Sequence, residues 1–461
     1  MSSVRVRMYR QGLGDCFLLT FPGKSDPVHM LIDCGVLLGT AEAKAKMQKV
    51  AQNILDETGG TLDVLVVTHE HWDHLSGFEQ ARELLGPDKL KIGEVWFGWT
   101  ERPGDATAAS LRQRRTRTLK RIVSATNKLA GAVEFGAKRT EARLKSLLEF
   151  WGGLAAATQR GTHAALEWVR DRTAPKLPRY LEPGCEPLSV PGVAGVRIYV
   201  LGPPRDVKLL RKSDPSKKDK EVYELAGAEN VDSGFFAALD SEGATSDGQP
   251  FEEWFRIGEA EAQARAFFRD GYCAAAEEWR RIEHDWLGVA GRLALQLDSD
   301  TNNTSLVLAF ELVDSGRVLL FPGDAQVGNW LSWHEGIEWT VEQNGKPRTV
   351  NAKDLLERTV LYKVGHHGSH NATLREKGLE MMVSEHLTAM IPVNRESAKK
   401  MDWNMPFPSL FGRLEERCRG RILDLEKGIL ATAAGATPPE WNPFPGKAES
   451  TDDWLDLHIN M

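Results

Sequence analysis

Cysteine is scarce in this chain of 461 residues. There are five, at positions 16, 34, 185, 273 and 418, odd in number and never in a C-x-x-C pair. That spacing excludes a thiolate zinc ribbon, argues against a disulfide framework and predicts a reducing compartment. No run of about 18 apolar residues occurs, so no segment is expected to span a membrane. The N-terminus, MSSVRVRMYRQG, alternates like a strand and lacks the continuous apolar stretch of a secretory signal. A cytoplasmic protein is the expectation. Positive charge is not in excess either. A net charge of −7 excludes a protein that coats nucleic acid with its whole surface, while leaving room for a local basic patch. Hydrophobic content of 41% and charged content of 27% are ordinary for a globular chain able to bury a large core.

Histidine is also sparse, yet three of the 12 fall within six positions, in Thr68-His69-Glu70-His71-Trp72-Asp73-His74. The motif follows Leu62-Asp63-Val64-Leu65-Val66-Val67, an apolar β-branched run that reads as a buried strand. Imidazoles and a carboxylate crowded at a strand end are accounted for most simply by a divalent metal, for which they are good donors. The spacing suits two ions, with His69 and His71 turned to one while Asp73 and His74 reach a second.

Strands are expected at 3–9, 16–21 and 28–32, with Gly12-Leu13-Gly14-Asp15 turning between the first two and Asp33-Cys34-Gly35 closing the third. A helix is expected over 41–57, another around Phe78–Leu85 and a strand near Ile92–Phe97. From about 100 to 180 the pattern becomes helical. Between Arg112 and Lys145 it carries eleven basic residues against two glutamates. Such a face is usually solvated, but Arg112, Arg114, Arg115, Arg117, Lys120 and Arg121 could also track a phosphate backbone. Val196–Leu201 returns to strand. Charge-rich Lys208–Lys220 and the Gly/Ser/Asp-rich Asp240–Pro250 read as loops. Residues 251–297 are helical and aromatic (Trp254, Phe255, Phe267, Phe268, Tyr272, Trp279, Trp286), a composition read as core packing. Strands resume at Ser305–Leu312 and Arg317–Phe321, joined by a Val313–Gly316 hairpin turn. Further strands are expected at Thr359–Val364, Thr388–Val393 and Arg421–Leu423, with a helix at 409–417.

Three strands therefore end in metal-type residues: the histidine motif, Gly323-Asp324, and Gly365-His366-His367-Gly368-Ser369. Side chains at neighbouring strand ends converge in space. Asp324 would bridge two ions, and a histidine from the third strand would complete the second ion's set. Ions about 3.5–4 Å apart yield hydroxide at neutral pH and stabilise charge developing on a phosphoryl or carbonyl oxygen.

These pieces, with Gly12-Leu13-Gly14-Asp15, Leu31-Ile32-Asp33-Cys34-Gly35 and Asn303-x-Ser305, resemble the metallo-β-lactamase-fold hydrolases. More narrowly they resemble the branch related to the soluble hydrolase domain of ComEC-type competence proteins. The resemblance covers segments near 3–100, 195–204 and 302–424. It implies an α/β fold (α+β by some schemes), an αββα sandwich occupying residues 1–430. Two helical insertions, about 101–194 and 205–300, would interrupt it, and 431–461 would form a C-terminal tail. It implies as ligands His69, His71, Asp73, His74, Asp324 and one of His366 and His367, His366 being favoured as nearer the strand end. Asp73, His74 and Asp324 would take part in catalysis, while Asp15, Asp33, Asn303 and Ser369 would steady the ligands from behind. Two departures stand out. No histidine lies in Asp300–Ser305, where many such enzymes place another ligand, and Phe407-Pro408-Ser409 stands where the branch often has His-Pro-Ser.

The expected activity is hydrolysis with two divalent ions, Zn or Mn first and Fe also compatible, most simply as a phosphodiesterase or nuclease. Nucleic acid or another phosphodiester would be the partner, with no membrane. A hydrolase of small phosphodiesters, lactones or amides is the alternative, favoured by the acidic charge and by insertions able to roof a small pocket. A silent, metal-stabilised binding protein is a third reading, which the intact ligand set opposes.

Overall fold

The computed structural model describes residues 2–130, 135–157, 161–213, 257, 259–272, 274, 296–343, 345–401, 403–430 and 445–461. Two large sheets form the centre. The first runs β1 (Ser3–Tyr9), β2 (Cys16–Phe21), β3 (Val28–Cys34), β4 (Thr61–Val66), β5 (Lys91–Gly98) and β6 (Arg179–Leu181) in sequential order. The second contains β7 (Val196–Gly202), β8 (Val307–Leu312), β9 (Arg317–Phe321), β12 (Thr359–Lys363), β13 (Thr388–Ile391), β14 (Ile422–Asp424) and β15 (Gly428–Ile429), again as neighbours in that order. Between β9 and β12 in the chain, β10 (Glu338–Gln343) and β11 (Lys346–Asn351) make a separate hairpin.

Strand alternation explains the stacking. Val4, Val6 and Met8 of β1, and Phe17, Leu19 and Phe21 of β2, point to the same buried layer as Leu308, Phe310, Leu319 and Phe321 of the second sheet. Phe17 meets Phe321 edge-on with ring centroids 5.7 Å apart. Burying each such side chain contributes about 1.5–3 kcal/mol. The opposite face of the first sheet is covered by α1 (Ala43–Thr58) and α2 (Trp72–Gln80). Helices Val327–Ser332, Ala352–Glu357 and Pro408–Arg417 cover the outer face of the second. The result is the four-layered αββα sandwich that the resemblance implied.

The first insertion consists of α3 (Ala106–Leu129), α4 (Phe135–Leu148) and α5 (Thr162–Arg170). Leu119, Ile122, Leu144, Leu148, Phe150 and Trp151 join the core of the second sheet's outer layer, while α5 packs on the first sheet. It therefore reaches across both halves.

Three expectations need correction. Residues beyond 445 are no tail: β16 (Gly446–Ser450) and β17 (Trp454–Asn460) extend the first sheet, and β17 pairs with β1 from Ser3↔Asn460 to Tyr9↔Trp454. The helix expected around Phe78–Leu85 begins earlier, at Trp72, inside the histidine motif. Phe267, assigned to a core, is 80% exposed and stacks edge-on against Phe268. The loop Asp240–Pro250 and Trp254, Phe255, Trp279 and Trp286 lie outside the described residues. No helix among the described residues is long and apolar enough to cross a membrane.

Candidate metal centre

Strand direction brings the three motifs together. β3, β4 and β5 run parallel, as do β9, β12 and β13, so Asp33, the His69–His74 segment, Asp324 and His366-His367 all lie at or just beyond carboxyl ends of strands. The N-terminal glycines are explained by close approach. A Cβ on Gly14, whose φ is +145°, would lie 2.6 Å from the Asp73 carbonyl, and one on Gly35 would lie 2.4 Å from the Asp73 carbonyl carbon. Their absence lets Asp15 N–H donate to Asp73 O at 3.0 Å, clamping the first turn of α2.

Four imidazoles turn one nitrogen inward. His69 Nε2 faces His71 Nδ1 at 3.0 Å. His74 Nε2 lies 3.1 Å from Asp324 Oδ2, and His367 Nε2 lies 2.9 Å from Asp73 Oδ2. Asp73, His74, Asp324 and His367 each offer a donor atom within 4.8 Å of the others, all buried. His69 and His71 adjoin this group, with the His69 and His74 ring centroids 4.2 Å apart. The inward atoms thus form two sets, His69 with His71 and Asp73 with His74 and His367, and Asp324 stands beside the second.

Of the two candidate histidines, the favoured one is not the one that enters the tetrad. Both have positive φ, 43° at His366 and 54° at His367, a left-handed turn that costs of order 1–3 kcal/mol for such residues. This turn delivers the His367 ring to Asp73. His366 instead donates its backbone N–H to Asp324 Oδ1 at 3.1 Å, and its ring lies near Asn302 and Gln326.

The residues expected behind the ligands divide. Asp33 accepts from Thr68 N–H at 2.8 Å and from the Thr68 hydroxyl at 2.6 Å, and it holds His74 Nδ1 at 2.8 Å. Asp15 is paired with the buried ammonium of Lys363. Asn303 touches no ligand side chain; its Oδ1 accepts from Gln326 and Asn329 backbone N–H groups, bracing the turn after Asp324. The Ser369 hydroxyl donates to Asn371, and its N–H caps the His366 carbonyl.

The basic helix divides too. Arg115 is buried, paired with Glu70 and lying 3.4 Å from Glu101. Arg112 donates to the Thr100 carbonyl at 2.6 Å. Both guanidiniums are engaged by partners within the fold, Arg115 buried and Arg112 partly so. Arg114, Arg117 and Lys120 are exposed, Arg114 lying 3.8 Å from Asp300, and Arg121 is half-buried. From the same insertion, Trp151 meets His71 edge-on at 4.7 Å and Phe150 stands 5.5 Å from it, forming a roof.

Two residues at the centre, Lys363 and Asp298, went unnoticed in the sequence, and Ser305 was noted there only as part of the Asn303-x-Ser305 match. Lys363 donates to Gly323 O at 2.9 Å and lies 3.2 Å from Asp324 Oδ1. Ser305 accepts from the Asp324 N–H and reaches His69 Nδ1 at 3.3 Å. Asp298 lies 3.6 Å from His71 Nε2.

The electrostatics suit divalent cations. Asp15, Asp33, Asp73, Asp298 and Asp324 are all buried, against one buried ammonium, Lys363. Burial pushes the Asp15 and Asp298 carboxyls up, Asp298 well above its usual range, so bound divalent ions would be needed to keep all five ionised. Burial pushes the imidazoles of His69 and His71 down, His71 to about 3, so both are neutral donors at neutral pH. Burial opposes ionisation of Asp324 as well, but His74 and Lys363 outweigh it and hold that carboxyl well below its usual range. Burial likewise works against a charged His74, yet Asp324, Asp73 and Asp33 raise it well above the ordinary value, marking where a cation competes with a proton. Asp73 Oδ1 is buried without a hydrogen-bond partner among the described residues, while its Oδ2 faces His367 and His74. Mixed nitrogen and oxygen donors fit Zn, Mn or Fe alike.

With this geometry in view, the comparisons point the same way. A family model described as the metallo-beta-lactamase superfamily matches residues 10–155, a span holding the Gly14-Asp15 turn, the histidine motif and most of the roof. Members of that superfamily are generally hydrolases. No curated protein matches the chain. The chain is thus an αββα sandwich that is similar over residues 10–155 to the metallo-beta-lactamase superfamily and holds a buried His/Asp cluster that could bind metal.

Proposed function

We propose that the chain is a metal-dependent phosphodiesterase in which His69 and His71 hold one divalent ion and Asp73, His74 and His367 a second, with Asp324 between them. The position of Asp324 carries this reading. Its Oδ2 faces His74, while its Oδ1 is anchored by Lys363 and the His366 N–H, so the carboxylate is fixed beside the Asp73, His74 and His367 donors. Two such ions would supply a hydroxide nucleophile and charge stabilisation at phosphorus. Lys363 keeps Asp324 ionised, Asp33 holds the His74 ring through Nδ1, and the Pro392 carbonyl does so for His367 at 2.7 Å. Asp73 Oδ1, buried and without a hydrogen-bond partner among the described residues, would be able to accept a proton from a water in this group. The Phe150–Trp151 roof excludes bulk solvent from the His71 side.

A nuclease would rely on the remaining exposed cations of α3, Arg114, Arg117 and Lys120. The roof over His71 favours the second reading, a compact phosphodiester taken from a pocket. Purified protein with Mn²⁺ or Zn²⁺ should be offered plasmid, single-stranded DNA, RNA and bis-p-nitrophenyl phosphate. Polymer cleavage that weakens with salt and disappears when Arg114, Arg117 and Lys120 are neutralised supports the nuclease. Turnover of the small ester alone supports the compact substrate. Metal-loaded protein that cleaves none of them refutes the phosphodiesterase reading.

A further inference from the structure

Asp298 sits on helical residues 296–302, at the end of the second insertion, and is buried. Its Oδ2 accepts from Asn302 Nδ2, one turn further on, at 3.2 Å. That leaves Oδ1 facing His71 Nε2, 3.6 Å away, and neither atom has a hydrogen-bond partner among the described residues. A buried carboxylate oxygen and a buried ring nitrogen left without partners cost more than almost any other defect in a core. Their facing one another is therefore informative.

The other three imidazoles show what this pair is for. Each rests its outward nitrogen on an oxygen: His69 Nδ1 near Thr68 Oγ1 at 3.0 Å, His74 Nδ1 on Asp33 at 2.8 Å, and His367 Nδ1 on the Pro392 carbonyl at 2.7 Å. His71 is oriented the opposite way round, with Nδ1 inward against His69 Nε2 and Nε2 outward. An outward nitrogen must carry the proton if the inward one is to donate a lone pair, so it needs an acceptor. Among the described residues the acceptor in place is Asp298.

We infer that Asp298 is a positioning residue for His71: it accepts a hydrogen bond from Nε2–H and so fixes Nδ1 as the donor toward the ion shared with His69. This rests on the metal reading given above. A movement of under about 1 Å brings the pair into ordinary hydrogen-bond range. Residues 298–305 contain no histidine, so this stretch supports the first ion through a carboxylate acting behind His71.

The test compares the full-length chain with Asp298→Asn, Asp298→Ala and the neighbouring control Asp300→Asn, which changes a half-buried carboxylate facing Arg114. Each is loaded with Zn²⁺ or Co²⁺, and stoichiometry and affinity are read by competition with a chromophoric chelator. Wild-type protein binding no ions would remove the metal reading itself. Given two ions in the wild type, Asp298→Asn is expected to weaken one of them about 10–100-fold and leave the other unchanged. The Co²⁺ absorption bands of the weakened site should change, while Asp300→Asn matches the wild type. Equal affinity for both ions with an unaltered cobalt spectrum would overturn the inference, as would equal weakening of both. If Asp298→Ala does not fold, the isosteric Asp298→Asn carries the test.

Discussion

Replacing Arg115 with alanine tests how the roof is joined to the metal loop. Glu70 lies between two presumptive ligands, His69 and His71, and its carboxylate is buried against Arg115 of α3, with Thr162 Oγ1 donating from α5 at 3.1 Å. Glu101, also buried, lies 3.4 Å from the same guanidinium and 3.9 Å from Arg170. Removing the guanidinium strands Glu70 as an unpaired buried charge, which typically costs 3–5 kcal/mol. The chain can escape only by protonating it. From a carboxyl of ordinary pKa 4.5, that costs ~4 kcal/mol at pH 7.5 but under ~1 kcal/mol at pH 5. The sign follows directly. A group held neutral in the folded state has its folded pKa raised, so its contribution is favourable at low pH and is lost as pH rises.

Urea unfolding of Arg115→Ala should therefore show a loss of about 4 kcal/mol at pH 7.5 that shrinks to about 1 kcal/mol at pH 5. Arg117→Ala, on the exposed face of the same helix, should stay within about 0.5 kcal/mol at both. The double variant Glu70→Gln/Arg115→Met, which removes both charges, should recover most of the loss. If Arg115→Ala costs no more than Arg117→Ala, or costs the same at both pH values, the ion pair does not anchor the roof.

Dialysis against a chelator should lower the melting temperature by several degrees, reversed by adding divalent metal; saturation at a hundredfold over Kd stabilises by about 2.7 kcal/mol. A melting curve indifferent to chelator would contradict the metal centre. Glu149, beside the roof aromatics, has its carboxyl pushed by burial up to about 7 from 4.5. Its folded pKa is raised, so stability present below pH 4.5 is lost as pH rises from 4.5 to 7, by about 1 kcal/mol once solvent screening of this half-buried group is allowed for. Glu149→Gln should flatten that slope, and an unchanged stability–pH profile would refute the assignment. Deleting 446–461 removes Leu455, Leu457 and Ile459 from the core and the buried Arg7–Asp456 pair. At about 1.5–3 kcal/mol per side chain this approaches the whole stability of a domain, so soluble yield should collapse. A folded, soluble product would show that β17 is dispensable.

Most of the buried His/Asp cluster was legible because its chemistry is local: three histidines and an aspartate after an apolar strand, then Gly-Asp and His-His after two more. His367 was not, because two left-handed backbone positions decide which ring enters, and residue type says little about φ at non-glycine positions. Arg115 carried an available signal. Leu111, Arg115, Leu119 and Ile122 share one helical face, so a guanidinium within an apolar stripe pointed to a buried partner. Lys363, alone among apolar residues in Thr359–Val364, carried the same message for a strand. The alternation in Trp454-Leu455-Asp456-Leu457-His458-Ile459 was a strand signal hidden by its distance from the other core segments. The 3.6 Å approach of Asp298 to His71 joins positions 227 residues apart and depends on how the second insertion returns to β8, which no local pattern records.

The two halves of the centre are built differently, and this bears on specificity. Asp73, His74, Asp324 and His367 are supported from the sandwich itself, by Asp33, Lys363 and the Pro392 carbonyl. His71 is bordered by elements inserted between the sandwich strands: Phe150 and Trp151 from the first insertion, Arg115 of that insertion holding Glu70 of the loop, and Asp298 from the end of the second. Changes in the insertions should therefore act first on the His69–His71 side and on whatever substrate group sits beneath the roof. Substitutions around Asp33 or Lys363 should act first on the other side. Phe150→Ala makes the distinction measurable. It opens space beside His71 without touching a donor atom, so it should raise KM or admit bulkier phosphodiesters while the ion held by Asp73, His74 and His367 keeps its affinity. A variant that instead loses that ion would show that the two halves are not separable.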